Sequence, residues 1–102
     1  MASRLITIRA GESIFIDFLK QGGQTIDATM EASYSLRSAL GVELSTGVLS
    51  KSIDLFTFEL RVGSTVTDSL GLADYLLLVK VFDITTGYAD YIFEETVRVY
   101  AL

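Results

Sequence analysis

This sequence of 102 residues contains no cysteine, histidine, tryptophan or proline. Without cysteine the fold uses no disulfide, and zinc sites of the usual Cys/His kind are excluded. Because histidine is also missing, the usual Ser–His and Cys–His catalytic pairs are impossible. Without proline, the chain lacks one device that blocks the addition of a further strand at a sheet edge. The missing residues therefore disfavour an enzyme.

Basic residues are scarce and scattered singly. Lysine and arginine number 8 against 13 acidic residues, which gives a net charge of −5. Such a chain has no basic patch for nucleic acid. The longest apolar run, Tyr75 to Val79, is far shorter than the roughly 20 residues of a membrane-spanning helix. The opening MASRLITIRAGES has no continuous apolar segment of the secretory kind. We therefore expect neither nucleic acid nor a membrane as a partner.

Apolar residues are abundant and follow a period of two. They make up 50% of the chain, and the mean hydropathy is +0.45, at the apolar end for a soluble domain. In the segment 28–37, Met30, Ala32, Tyr34 and Leu36 alternate with polar residues, which predicts a half-buried antiparallel strand. Similar strands are predicted over 4–9, 13–20, 53–62, 73–83 and 88–100, and 41–49 is either a short strand or a loop.

This spacing predicts an all-β chain. About seven short strands with turns every 8 to 12 residues are typical of an antiparallel Ig-like β-sandwich, here as a single domain over residues 1–102. Thr65 with Asp68 resembles a helix N-cap pair, which predicts one short helical turn. Tyr75 follows at the start of the penultimate strand, where Greek-key sandwiches carry a tyrosine corner. We therefore expect Tyr75 to be structural, with ligand binding as the alternative.

The acidic residues do not suggest a catalytic or metal site. Glu94 and Glu95 are neighbours on a predicted strand, so they point to opposite faces. A calcium site between Asp83 and Asp90 would need both residues across a hairpin and further oxygen ligands. The sequence predicts no catalytic residue, no cofactor and no metal site.

An excess of apolar side chains on the last two strands is the main functional signal. Tyr75, Leu77, Val79 and Val81 share one face of the penultimate strand, and Lys80 alone breaks the opposite face. On the last strand we expect Tyr91, Phe93, Val97 and Val99 to point inward. A two-sheet sandwich buries one face of each sheet, and exposed apolar patches usually mark interfaces. The predicted interface is Leu76, Leu78, Phe82, Ile92 and Tyr100. Alternatively, a loop or the N-terminal segment covers these residues.

The order of these segments resembles a known group of domains. A short strand leads into Gly11 and Glu12, then an IFIDFLKQGGQTID hairpin, a SYSLRSALGVEL strand and the rhythm Thr67-x-x-Leu70-x-x-x-x-Tyr75. The pattern resembles the small Ig-like β-sandwich domains of tailed-bacteriophage virions, notably the N-terminal domains of baseplate and tail-fibre proteins. The Pro-Gly common there before the tyrosine is replaced by Ala73-Asp74.

The resemblance implies a non-enzymatic virion component. Such domains bind neighbouring subunits through strand edges and apolar faces, which implies a homo-oligomer that docks on other phage structural proteins. A capsid cement or decoration protein and a tail or baseplate adaptor both remain open, and either is made in the bacterial cytoplasm. The alternative function is a carbohydrate- or receptor-binding module that uses Tyr88, Tyr91 and Tyr100. An enzyme that uses carboxylates is the third class.

Overall fold

The structure is a computed structural model that describes residues 5–19, 26 and 28–101. These residues form eight β-strands and one short helix. The elements are β1 (Leu5–Arg9), β2 (Ile14–Leu19), β3 (Met30–Ser38), β4 (Glu43–Val48), β5 (Ser50–Lys51), β6 (Thr57–Val62), α1 (Ser64–Asp68), β7 (Asp74–Asp83) and β8 (Ala89–Tyr100).

The strands form two sheets. One has five strands in the order β1-β8-β7-β3-β4, and the other has three in the order β2-β6-β5. β1 and β8 pair in parallel, and the other neighbouring strands pair antiparallel. The all-β prediction is confirmed. Eight strands replace the predicted seven because the chain forms a short extra strand, β5, against β6.

Two local predictions are wrong. The predicted IFIDFLKQGGQTID hairpin would pair β2 with the strand that follows it, but β2 pairs with β6 and lies in a different sheet from β3. Its predicted turn, Lys20 to Gln24, lies outside the described residues. The predicted strand over 53–62 begins only at Thr57, because residues 52–56 form a turn. In this turn the Ser52 hydroxyl accepts hydrogen bonds from the backbone N–H groups of Phe56 and Thr57.

The core lies between the two sheets. Each sheet turns alternate apolar side chains toward the other, as a half-buried strand does. Phe18 of β2 and Phe93 of β8 meet edge to face, with ring centroids 5.0 Å apart. The largest fully buried apolar side chains are Leu36, Leu60, Val62, Leu77, Val79 and Val97. The opposite side of the five-stranded sheet is left outside this core, and we call it the outer face.

The connection from β6 to β7 carries the predicted helical turn. Helix α1 confirms the turn, but its N-cap is Gly63, so Thr65 is not the cap. Thr67 is buried, and its hydroxyl donates to the Ser64 carbonyl. At the end of this connection the Tyr75 hydroxyl donates a 2.7 Å hydrogen bond to the Gly71 carbonyl, four residues upstream. This is the bond that a tyrosine corner requires.

Candidate functional site

The outer face is organised around β7, the third strand of the five-stranded sheet. Along β7, Tyr75, Leu77, Val79 and Val81 are buried in the core. The residues between them are half-buried and point outward: Leu76, Leu78, Lys80 and Phe82. The alternation predicted for this strand therefore agrees with the structure, and it places three of the five predicted interface residues in one row.

Polar side chains flank this row. On β3, Glu31, Ser33, Ser35 and Arg37 lie opposite Phe82, Lys80, Leu78 and Leu76, in that order. On β8, Thr96 lies opposite Leu76, and Glu94 lies opposite Leu78. Because the apolar row is one strand wide, its neighbours shield part of it, which explains why the leucines are half-buried.

A bulge in β8 changes the predicted face of two residues. Val79 pairs with Phe93, but the next β7 residue, Lys80, pairs with Tyr91, so Ile92 is the extra residue. Tyr91 therefore lies on the outer face and is 59% exposed, and the prediction that it points inward with Phe93 is wrong. Ile92 is exposed at the bulge but does not lie opposite the apolar row.

Tyr100 lies on the outer face but far from Leu78. It is paired with Arg9 of β1 at the end of β8. Between it and Leu76 stands an ion pair, in which Arg98 donates two hydrogen bonds of 2.8 and 3.1 Å to the Asp74 carboxylate. These bonds lower the pKa of Asp74 and raise the pKa of Arg98. The structure thus groups Leu76, Leu78 and Phe82 and leaves Ile92 and Tyr100 apart.

A groove of about 160 Å³ runs along β3 on the outer face. It forms because Ser33 and Ser35 are smaller than their neighbours on β4 and β7. At one end the Arg37 Nε donates to the Ser35 hydroxyl, which donates to Glu43, both at 3.0 Å. At the other end the lining includes Lys80 and Tyr91. Most of the residues that line the groove are therefore polar, and an aromatic side chain lies at the end away from Arg37.

Lys80 and Glu94 are the charged residues beside Leu78 that sequence reasoning missed. Neither residue takes part in an ion pair among residues 5–19, 26 and 28–101. The Lys80 ammonium lies 5.9 Å from the centroid of the Phe82 ring, on the side away from Glu94. The available signal in the sequence was Lys80 itself, which interrupts the apolar positions Leu76, Leu78 and Phe82.

Several charged residues elsewhere have local partners. Arg61 lies 4.9 Å from the Phe15 ring centroid and pairs with Asp17 at 2.9 Å on the three-stranded sheet. In the β7–β8 turn, the Asp83 carboxylate accepts hydrogen bonds from the backbone N–H groups of Thr85 and Thr86. In the described part of the chain, no group of three or more acidic residues is placed to hold a metal ion.

Comparison with known proteins does not assign a function to this surface. No family model and no curated protein matches the sequence. None of the helices among the described residues is long and apolar enough to cross a membrane. The outer face of the five-stranded sheet remains the best-defined candidate site.

Proposed function

We propose that the chain is a non-enzymatic structural subunit of a tailed-phage virion, which self-associates and docks on capsid or tail proteins through its outer face. The observation that carries the proposal is the row of Leu76, Leu78 and Phe82, which points away from the core on a central strand. Apolar side chains in such a row gain about 25 cal/mol for each Å² that a partner covers. In an assembly a partner can cover this row and gain that free energy, whereas an isolated domain leaves the row partly exposed to water.

The strand order supports the Ig-like part of this proposal. The orders β2-β6-β5 and β8-β7-β3 correspond to the B-E-D and G-F-C orders of Ig-type sandwiches. The Tyr75 bond to Gly71 occupies the position of the tyrosine corner in such folds. Domains of this architecture have many functions, so the fold supports the virion assignment only together with the outer face.

The size of the outer face is adequate for a specific interface. Its five strands, spaced by about 4.8 Å, make it roughly 20 Å wide. Its longer strands span roughly 30 Å, so the projected area is roughly 600 Å². Specific protein–protein interfaces bury about 600–1,000 Å² of accessible surface on each partner, so the outer face reaches the lower limit of this range.

Self-association is tested by light scattering over a concentration series, with the wild type, Leu78→Glu and Leu40→Glu. Leu40 is 92% exposed in the β3–β4 turn, so its substitution is a matched control that leaves the outer face intact. We expect an oligomeric wild type, a folded but monomeric Leu78→Glu variant and an oligomeric control. A wild type that stays monomeric at every concentration contradicts self-association.

The virion assignment has a separate test. Particles made by the phage or prophage that carries the gene are purified and analysed by quantitative mass spectrometry. We expect the chain in a fixed ratio to the major capsid or tail protein. Particles that form normally but lack the chain would contradict this assignment without affecting self-association.

Saccharide binding is the second candidate, and the groove beside Tyr91 is the observation that favours it. An exposed aromatic ring in the same groove as serine hydroxyls is a suitable surface for a sugar ring. However, Tyr88 lies in the β7–β8 turn and Tyr100 at the far end of β8, so the three tyrosines form no common platform. A glycan array compares the wild type with Tyr91→Ala, and an array without signal for either protein removes this candidate.

A further inference from the structure

Four outward side chains form the corners of a small rectangle on β7 and β8. Leu78 lies opposite Glu94, and Lys80 lies opposite Tyr91 because of the bulge at Ile92. Directly opposite residues are about 5 Å apart, and successive outward residues on one strand are about 7 Å apart. One diagonal of the rectangle carries the opposite charges of Lys80 and Glu94. The other carries the apolar side chain of Leu78 and the ring of Tyr91.

This arrangement is self-complementary. The described residues of the chain provide neither Lys80 nor Glu94 with an ion-pair partner. A two-fold axis that runs along one diagonal of such a rectangle nearly exchanges the two corners of the other diagonal. Two copies related by this axis therefore place each Lys80 over the Glu94 of the other copy.

We propose that a second copy of the chain packs on the outer face across a two-fold axis along the Leu78–Tyr91 diagonal. The proposal rests on the self-association proposed above and specifies its geometry. Leu78 then meets Leu78 of the second copy at the axis, and the two Tyr91 rings meet beside them. Two reciprocal contacts between Lys80 and Glu94 flank this apolar centre, as in an isologous interface.

The geometry also fixes how the two sheets cross. The diagonal runs at roughly 35° to the strands, so the strands of the two copies cross at roughly 70°. This angle is nearer to the orthogonal class of sheet packing than to the aligned class. The outward side chains that contact across the axis are Leu78 and Tyr91, both apolar or aromatic, so the centre of the interface contains no unpaired charge.

Charge exchange tests this arrangement. Sedimentation equilibrium over a concentration series is carried out at low salt on the wild type, Lys80→Glu, Glu94→Lys and the double variant. Each single substitution places like charges in both reciprocal contacts, so we expect the dimer Kd to rise at least about tenfold. The double variant has the wild-type net charge and restores both contacts with the signs exchanged, so we expect its Kd within about threefold of the wild type.

Two controls and two contrary outcomes complete the experiment. Circular dichroism checks that each variant is folded, and Glu12→Lys makes the same charge change in the turn after β1, away from the rectangle. If the wild type is a dimer that the single substitutions leave unchanged, or that the double variant does not restore, this axis is wrong but self-association stands. If the wild type is a monomer throughout, both are wrong.

Discussion

Tyr34 of β3 lies directly opposite Gly47 of β4, with its ring over the glycine. A methyl group on residue 47 would lie 2.6 Å from Cε1 of this ring, well inside van der Waals contact. Tyr34 is held in place because it is buried and its hydroxyl is 3.0 Å from the Ser45 hydroxyl. Gly47 therefore allows a large aromatic residue to pack at the edge of the five-stranded sheet.

Gly47→Ala is expected to destabilise the protein by about 1–3 kcal/mol, because the ring has to move out of its packed position. Urea unfolding followed by circular dichroism measures the change. Gly63→Ser is the control, since nothing lies within 4 Å of a Cβ there and its φ is −73°. Tyr34→Leu removes the ring, so in that background Gly47→Ala should cost much less than in the wild type. If Gly47→Ala costs the same in both backgrounds, the ring is not the cause.

Leu77→Ala and Leu78→Ala separate the two faces of β7. Leu77 is fully buried, so its truncation leaves a cavity and is expected to cost about 2–5 kcal/mol. Leu78 is half-buried on the outer face, and in the monomer we expect a cost of about 1 kcal/mol or less. Unfolding at low protein concentration measures both. Equal costs would place Leu78 in the core and would remove the main support for the interface.

Tyr75→Phe deletes one hydroxyl and keeps the buried ring. The lost hydrogen bond to Gly71 is expected to lower the free energy of unfolding by about 0.5–1.5 kcal/mol. Tyr91→Phe is the matched control because Tyr91 is exposed, and its effect should stay within about 0.5 kcal/mol. Indistinguishable unfolding curves for the two variants would contradict a structural role of the Tyr75 hydroxyl.

The titration of Asp74 reports its ion pair with Arg98. The hydrogen bonds from Arg98 lower the pKa of Asp74, so their contribution to stability is complete above the unfolded pKa, about 3.9. It is lost as the pH falls through the lower pKa of the folded state. Arg98→Gln is expected to return the pKa of Asp74 toward its usual value in an NMR titration. Lys51→Gln, which alters the contact with Glu31, should leave Asp74 unchanged.

The strands that sequence predicts best are those that are regular along their whole length. Alternation alone places Ala32, Tyr34 and Leu36 inward on β3, and the structure buries all three. Alternation does not reveal the bulge, because Tyr91, Ile92 and Phe93 are all apolar and no glycine marks the extra residue. The turn at 52–56 is hidden for a related reason, since Leu55 adopts a φ of 61° without glycine or proline nearby.

Alternation within single strands is not enough to predict the candidate site. The sequence predicts that Leu76, Leu78 and Phe82 share a face, and the structure agrees. That Lys80 lies diagonally across from Glu94 depends on the register between β7 and β8 and on the shift at Ile92. Register arises from the pairing of two strands, so the pattern within one strand does not contain it.

The parallel pairing of β1 with β8 determines how the protein responds to tension. Leu5 pairs with Thr96 and Arg9 pairs with Tyr100, so Leu5 and Tyr100 lie at opposite ends of this strand pair. Force applied at these two residues pulls the strands past each other along their length. The hydrogen bonds of the pair are then loaded together in shear, instead of opening one after another as in a zipper. Strands β1 and β8 thus form a mechanical clamp.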